Sequence, residues 1–292
     1  MQIDGHVHVF LKDSPPYRRA VDELAPAEKS APVETLLDTM QMHGVDGAVL
    51  VPFGNEDKYV AECVRAHPGR FVGICVQQKE AWTSSDRTSA VLARRVEGGG
   101  FRGVRMAWLG DPGRPVEDSP VYPSLRWMAE RDVVLWFYGP AEQLAVLVQA
   151  VARLPGLKVA LNHLGVCPRR IEVDGRGRPR VALELPPPTL GTVLSLAENP
   201  RVHVMLSGLY AFSKAGYPYC DLHDLVTVLA QAFGADRLFW ASDFPWVAEE
   251  PGYGKIHALA RLHLAGATAD ELHAVYGGTV SRLFPGAFGA RK

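Results

Sequence analysis

The 292-residue sequence has little of several features that would direct it to a particular environment. Its 31 basic and 32 acidic residues leave a formal net charge of -1, so no field of one sign predicts binding to nucleic acid or to an anionic membrane. No stretch approaches about 18 uninterrupted apolar residues, and no basic region with a long apolar run opens the chain. We therefore expect neither a membrane span nor a secretory signal.

Cysteine is also scarce, and no two cysteines form a Cys-x-x-Cys pair: Cys63, Cys75, Cys167 and Cys220. This usage predicts free thiols in a reducing compartment, and hence a cytoplasmic protein. A glycine-rich phosphate loop of the Gly-x-Gly-x-x-Gly type is missing after the first apolar segment. Its absence disfavours an open doubly wound nucleotide-binding sheet.

The sequence does contain a regular alternation of strand-like and helix-like segments. Short apolar segments predict eight strands, at residues 1–10, 45–52, 70–77, 101–108, 132–138, 157–164, 201–206 and 237–242. Segments with helical periodicity lie between and after them, at residues 33–43, 57–67, 84–97, 122–131, 141–154, 186–198, 222–233, 255–265 and 269–284. Eight such units predict an α/β fold, a closed (β/α)8 TIM barrel, forming one domain over residues 1–292. Glycines between β-prone residues at 169–183 predict a hairpin excursion near residues 168–188.

Polar residues collect where the predicted strands end, which is where barrel enzymes place their active sites. His6 and His8 are two residues apart on the first strand, so both side chains project to one face. Asp243 follows the eighth strand, which neighbours the first strand in a closed barrel. These three residues predict either part of the coordination sphere of a divalent metal, zinc before others, or a base beside two histidines.

Three further strand ends carry polar side chains: His163 after the sixth strand, Ser207 after the seventh and Arg105 late in the fourth. Each has a structural alternative. His163 is consistent with a hydrogen-bonded core histidine, and Arg105 with a buried ion pair. Their joint placement at strand ends is what predicts a functional site.

Four motifs in this order resemble the amidohydrolase-2 family, whose members include lactone hydrolases and aromatic-acid decarboxylases. They are IDGHVHV at residues 3–9, LNHLG at 161–165, MLSG at 205–208 and LFWASDFPW at 238–246. The resemblance covers nearly the whole chain and implies a barrel of the metal-dependent-hydrolase type. It matches His6 and His8 to the paired histidines of strand one, His163 to the strand-six histidine and Asp243 to the strand-eight aspartate.

The sequence departs from that family at strand five, where metal-dependent members carry a histidine ligand. Residues 134–139 contain no histidine, and we expect Phe137 at the ligand position. His6, His8 and Asp243 with one water would still form a three-ligand catalytic metal site. The metal-independent lactonases of the family imply another mode, in which the histidines polarise a carbonyl and Asp243 activates water. The sequence leaves metal binding open.

We expect a small organic acid as substrate, because arginine binds carboxylates bidentately and Arg105 lies at the predicted site. The other expected substrate contacts are Tyr138, Ser207, Tyr210 and Trp246. Three functions remain: a hydrolase of a lactone, ester or amide with Asp243 and His163 as catalytic residues, a metal-dependent non-oxidative decarboxylase, or an inactive binding protein on the same fold. The missing strand-five ligand favours the hydrolase. The sequence does not decide whether the protein is a homo-oligomer.

Overall fold

The computed structural model describes residues 1–54, 57–77 and 85–289, and its centre is a sheet of eight parallel strands. The barrel strands are β1 (Ile3–Val7), β2 (Gly47–Leu50), β3 (Phe71–Gln77), β4 (Phe101–Met106), β5 (Val134–Phe137), β6 (Val159–Leu161), β9 (Val202–Leu206) and β10 (Leu238–Trp240). Between β6 and β9 the chain forms the antiparallel hairpin of β7 (Glu172–Val173) and β8 (Pro179–Arg180). The hairpin lies within the predicted excursion.

The sheet closes between its first strand and the segment that follows β10. Val7 forms a parallel bridge with Phe244, and the His8 N–H donates to the Phe244 carbonyl at 2.7 Å. The Asp243 N–H donates to the His6 carbonyl at 3.0 Å. The predicted (β/α)8 barrel is confirmed, and its closure sets Asp243 beside the two histidines of β1.

Helices follow the barrel strands and pack on the outside of the sheet. They are α1 (Val33–Met42), α2 (Lys58–Ala66), α3 (Ser85–Gly99), α4 (Tyr122–Glu130), α5 (Gln143–Arg153), α6 (Leu190–Ser195), α7 (Leu209–Phe212), α8 (His223–Phe233), α9 (Tyr253–His263), α10 (Ala269–His273) and α11 (Thr279–Leu283). Within the described residues no helix is long and apolar enough to cross a bilayer. The four cysteines are free thiols.

Two apolar layers hold these elements together. One fills the barrel interior and includes Trp136, Phe239 and, directly after α11, Phe284. The other lies between the strands and the surrounding helices. Gly277, just before α11, lies against the backbone of Met1, so a side chain there would clash. The C-terminal helix therefore closes the end of the barrel where the strands begin, and the opposite end stays available for a site.

The predicted elements differ from the observed ones mainly at their ends. Most strands are shorter than predicted, and His163 lies in a short turn after β6 rather than in the strand. The helix predicted at residues 269–284 is interrupted by a wide turn at Ala274–Gly278. Residue 84, the expected start of α3, and residues 290–292 of the predicted domain lie outside the described part of the chain.

Phe137 does not lie where the sequence analysis placed it. Its side chain belongs to the layer between strands and helices, whereas Trp136 points into the barrel. Successive side chains of a strand face opposite sides, so Tyr138 is the next residue on the inner face. The assignment of Phe137 to the ligand position was wrong by one residue.

Candidate active site

His6, His8 and Asp243 meet at the end of the barrel where the strands finish. The Nε2 atoms of the two histidines are 3.1 Å apart, and each is 3.8 Å from Oδ1 of Asp243. All three residues are buried. The convergence predicted from strand adjacency is therefore present in the structure.

One hydrogen-bond pattern satisfies both histidine rings, and Trp136 sets its direction. The indole Nε1 of Trp136 lies 2.9 Å from Nδ1 of His6 and can only donate. A neutral His6 consequently carries its proton on Nε2 and donates it to Nε2 of His8. His8 then carries its proton on Nδ1 and donates to the Val51 carbonyl at 2.9 Å.

Asp243 is the acidic group of this cluster. Burial raises its pKa to about 6, while the hydrogen bond from Tyr210 and the nearby Arg105 act in the lowering direction. The Tyr210 hydroxyl donates to Oδ2 of Asp243 at 2.6 Å. With a pKa about one unit below neutrality, Asp243 is mostly ionised at pH 7, as a general base requires.

The histidines do not lower the pKa of Asp243. Burial, with the nearby Arg105, lowers the pKa of His8 to about 3, and burial also lowers that of His6 well below its usual value. Both rings are therefore neutral at physiological pH and offer Asp243 no full positive charge.

His163 approaches the cluster from the turn after β6. Its Nδ1 lies 2.8 Å from the Ser207 hydroxyl, and its ring is 4.9 Å from that of Tyr138. Burial lowers its pKa to about 3. His163 and Asp243 both have left-handed backbone conformations, with φ of 48° and 64°. Such strain in non-glycine residues concentrates at functional sites.

Arg105 provides the positive charge of the site. Its guanidinium lies over the Tyr138 ring, 5.1 Å from the centroid. Among the described residues, no carboxylate lies within ion-pair distance of it. Burial lowers its pKa, but an arginine remains protonated. A partly buried cation without an anionic partner is suited to an anionic ligand.

These side chains face a cavity of about 210 Å³. The described residues that line it are His8, Asp22, Leu24, Phe53, Arg105, Tyr138, His163, Ile171, Pro179, Val181, Gly208, Ala211, Phe212, Asp243 and Trp246. Ser207 and Tyr210, both expected to touch substrate, are not among them. They lie behind His163 and Asp243 and bond to them. The structure thus brings together all predicted site residues. Ser207 and Tyr210, however, lie behind the cavity wall and support His163 and Asp243.

The arginines of the hairpin form ion pairs rather than line the cavity. Arg178 and Arg180 both lie against Asp174, and Arg180 also donates to the Tyr210 carbonyl. The hairpin instead turns apolar residues to the cavity, among them Ile171 and Val181.

Sequence reasoning missed Trp136 and part of the cavity wall. The period-two alternation of β5 contained a signal for Trp136, because it shares the inner face with Tyr138. Leu24, from the segment after β1, and Phe212, from α7, line the cavity without any periodic pattern in the sequence that marks them.

Comparison with known proteins agrees with this architecture. The amidohydrolase family profile matches residues 3–286. The L-fucono-1,5-lactonase of Burkholderia ambifaria is 30% identical over 151 residues, which are 50% of this chain and 46% of that relative. The chain thus matches less than half the length of this curated relative.

Two solved structures are similar over nearly their full length. A Pseudomonas putida protein described as a candidate 2-pyrone-4,6-dicarboxylic acid hydrolase superposes with a TM-score of 0.74, at 24% identity, over 97% of both chains. An amidohydrolase from Burkholderia multivorans with bound zinc gives a TM-score of 0.67, at 20% identity, over 97% of this chain and 98% of the other. At these identities the likeness concerns the fold.

The barrel, with paired histidines on its first strand and an aspartate after its last, has the fold of the metal-dependent-hydrolase type. The profile match over residues 3–286 shows that the chain belongs to the amidohydrolase family, as its motifs predicted.

His6, His8 and Asp243 form a group of metal-ligating type, with their ligand atoms within 4.8 Å of one another. A ligating histidine normally donates its other ring N–H to an acceptor. His8 meets this requirement through the Val51 carbonyl. His6 does not, because ligation through Nε2 would place its proton on Nδ1, opposite the indole N–H of Trp136. As hydrogen-bonded in this structure, the donor set does not fit a metal ion without a change at His6 or Trp136.

Proposed function

We propose that this protein hydrolyses a small lactone or ester of an organic acid, with Asp243 as the general base. One observation carries the proposal: a buried carboxylate and an unpaired arginine face the same small cavity at the end of the barrel. The carboxylate can activate water, and the arginine can hold a substrate carboxylate.

In this mechanism Asp243 takes a proton from a water molecule, whose oxygen attacks the substrate carbonyl carbon. His163 donates from Nε2 to the carbonyl oxygen while its Nδ1 accepts from the Ser207 hydroxyl. When the tetrahedral intermediate collapses, the carbon–oxygen bond of the ester breaks. The leaving alkoxide then receives the proton held by Asp243, and the product is a hydroxy acid or an acid and an alcohol.

The remaining roles belong to the same proposal. Arg105, Tyr138 and Trp246 contact the substrate, while Ser207 and Tyr210 position the catalytic groups. His6 and His8 bond to each other beside the base, and no step passes through a metal. The sequence predicts that the chain forms one domain and that the protein is cytoplasmic. It does not decide the oligomeric state.

Product analysis tests the proposal. The purified protein is incubated with panels of lactones, esters, amides and aromatic carboxylic acids, and both acid release and carbon dioxide are measured. We expect acid release from lactones or esters without carbon dioxide. Carbon dioxide from an aromatic acid would instead show a decarboxylase. Binding without turnover across all panels would favour an inactive binding protein.

The activity should rise with pH through the titration of Asp243. Its pKa of about 6 predicts that kcat/KM is constant above about pH 7 and falls about tenfold per unit below pH 6. Burial lowers the pKa of His8 and His163 to about 3 and the pKa of His6 well below its usual value, and a substrate carboxylate has a pKa of about 4, so none of these groups produces this limb. A pH profile of kcat/KM checks this, and a profile that is flat between pH 5 and 7 would contradict it.

Replacing Tyr210 with phenylalanine should move that acidic limb to higher pH. The Tyr210 hydroxyl donates to the ionised carboxylate and so lowers the pKa of Asp243. Tyr210→Phe removes this hydrogen bond but keeps the buried ring. Tyr276→Phe is the matched control, because its hydroxyl donates to the His257 carbonyl away from the cavity. The prediction fails if both variants keep the wild-type limb.

A further inference from the structure

We infer that the cavity selects a monoanion: a small molecule with one carboxylate and an otherwise apolar body around its lactone or ester group. This inference rests on the proposed hydrolysis and narrows its substrate. It excludes polyhydroxylated sugar lactones and lactones with two carboxylates as good substrates. These are the compound classes in the names of the two relatives reported above.

The cavity offers one site for an anion. Arg105 is the one lysine or arginine among the described residues that line it. Lys29 lies near, with its Nζ 4.4 Å from the Trp246 ring centroid, but it donates to the carbonyls of Leu24 and Gly177. The hairpin arginines are paired outside the cavity, Arg178 and Arg180 with Asp174 and Arg176 with Glu250. One substrate carboxylate can therefore be neutralised, and a second cannot.

A second carboxylate would also meet negative charge. Asp22 lines the outer part of the cavity, and the backbone N–H groups of Leu24 and Ala25 fix its Oδ1 at 2.8 Å and 3.0 Å. Asp243 places a second carboxylate at the inner end, beside His6 and His8. Like charges at both ends oppose a dianion, since such repulsion discriminates between ligands as effectively as attraction.

The body of the substrate meets an apolar wall. It consists of Leu24, Phe53, Ile171, Val181, Phe212 and Trp246, which come from five separate parts of the chain. In the proposed mechanism His163 binds the substrate carbonyl oxygen, and Arg105 and Tyr138 bind the substrate carboxylate. Of the other described polar side chains that line the cavity, His8 already bonds to His6 and to the Val51 carbonyl, and Asp243 holds the attacking water. Asp22 alone then remains to accept from a sugar hydroxyl, so a row of hydroxyls lacks partners. Each hydroxyl buried without a partner costs about 1–3 kcal/mol.

The size of the cavity also favours a small substrate with one carboxylate. Its volume of about 210 Å³ is below the roughly 300–1,000 Å³ of pockets that hold drug-sized ligands. A molecule with a single lactone ring, one carboxylate and an alkyl or phenyl substituent has a volume that suits this cavity.

Selectivity among matched lactones tests the inference with the wild-type protein. The three panels are lactones with one carboxylate and an alkyl or phenyl group, aldonolactones, and lactone dicarboxylates. We expect kcat/KM for the first panel to exceed that of the other two by at least about 100-fold, the loss from one or two unpartnered buried groups. A preference for aldonolactones or dicarboxylates would overturn the inference and leave the proposed hydrolysis intact.

Binding measurements distinguish failure of this inference from failure of the proposed hydrolysis. Calorimetry on the wild-type protein uses 4-phenylbutanoate, its neutral amide, gluconate and isophthalate as probes, none of which has a lactone or ester to hydrolyse. We expect measurable binding of 4-phenylbutanoate alone, which would support the inference even if no lactone is hydrolysed. Absence of binding by 4-phenylbutanoate, or tighter binding of gluconate or isophthalate, would overturn it.

Arg105 is tested by the ratio of acid to amide binding. Wild-type protein and Arg105→Lys should favour 4-phenylbutanoate over its amide, whereas Arg105→Met should bind both equally weakly. A merely structural Arg105 would change stability but not this ratio. An unchanged ratio in a folded Arg105→Met protein would contradict the assignment.

Discussion

Asp243→Asn should lower kcat by about 10²–10⁴-fold, the usual range for loss of a general base. The amide keeps the size of the side chain and can still accept the Tyr210 hydrogen bond, but it cannot take a proton from water. Because the carboxylate acts mainly in the transition state, kcat and kcat/KM should fall together while substrate binding changes little. Steady-state kinetics on the best substrate measure both quantities.

Asp132→Asn is the matched control for this substitution. Asp132 precedes β5 at the far end of the barrel, pairs with Lys158, and has a φ of 58° that asparagine tolerates well. Its kinetics should equal those of the wild type. A folded Asp243→Asn enzyme with wild-type kcat would show that another group activates the water, and the proposed mechanism would be wrong.

The barrel and the central cluster could be predicted because they depend on patterns that the sequence displays. Apolar segments alternating with helical periodicity predict the eight strand–helix units, and closure then requires the first and last strands to be neighbours. His6, His8 and Asp243 occupy the ends of those two strands. Their meeting within 4.8 Å follows from topology without knowledge of any side-chain contact.

The inner and outer faces of β5 could not be predicted in the same way. All four residues of this strand are buried, so hydrophobicity does not alternate between its two faces. A shift of one residue exchanges the faces of a strand. That ambiguity put Phe137 in the site and left Trp136 unnoticed, although the indole of Trp136 determines which nitrogen of His6 carries the proton.

The supporting residues depend on loop geometry, which has no period in the sequence. Gly208, with φ of 75°, begins the four-residue helix α7. This helix carries Tyr210 to Asp243, and Phe212 to the cavity wall. The sequence predicted Ser207 and Tyr210 near the cluster, and the structure was needed to show that they bond to His163 and Asp243 rather than line the cavity.

Trp136→Phe should increase the affinity for zinc by about 10–100-fold, the range by which hydrogen-bond partners of metal ligands alter metal binding. In the wild-type chain, zinc at Nε2 of His6 would force two N–H groups, those of His6 and Trp136, against each other at 2.9 Å. Phenylalanine removes the indole N–H and keeps an aromatic ring in the barrel interior. His6 can then carry its proton on Nδ1 and ligate through Nε2, together with His8 and Asp243.

Zinc titration by calorimetry, with metal analysis after dialysis, measures this effect without reference to activity. Trp240→Phe is the matched control, because it removes an equally buried indole N–H that donates to the Ile256 carbonyl, away from the histidines. We expect the control to bind zinc as weakly as the wild type. Full activity of chelator-treated wild-type protein should accompany that result, since the proposed mechanism uses no metal. Wild-type protein that retains stoichiometric zinc, with no gain in the Trp136→Phe variant, would show that His6 ligates despite Trp136. The conclusion that the hydrogen bonds of His6 do not fit a metal ion would then be wrong.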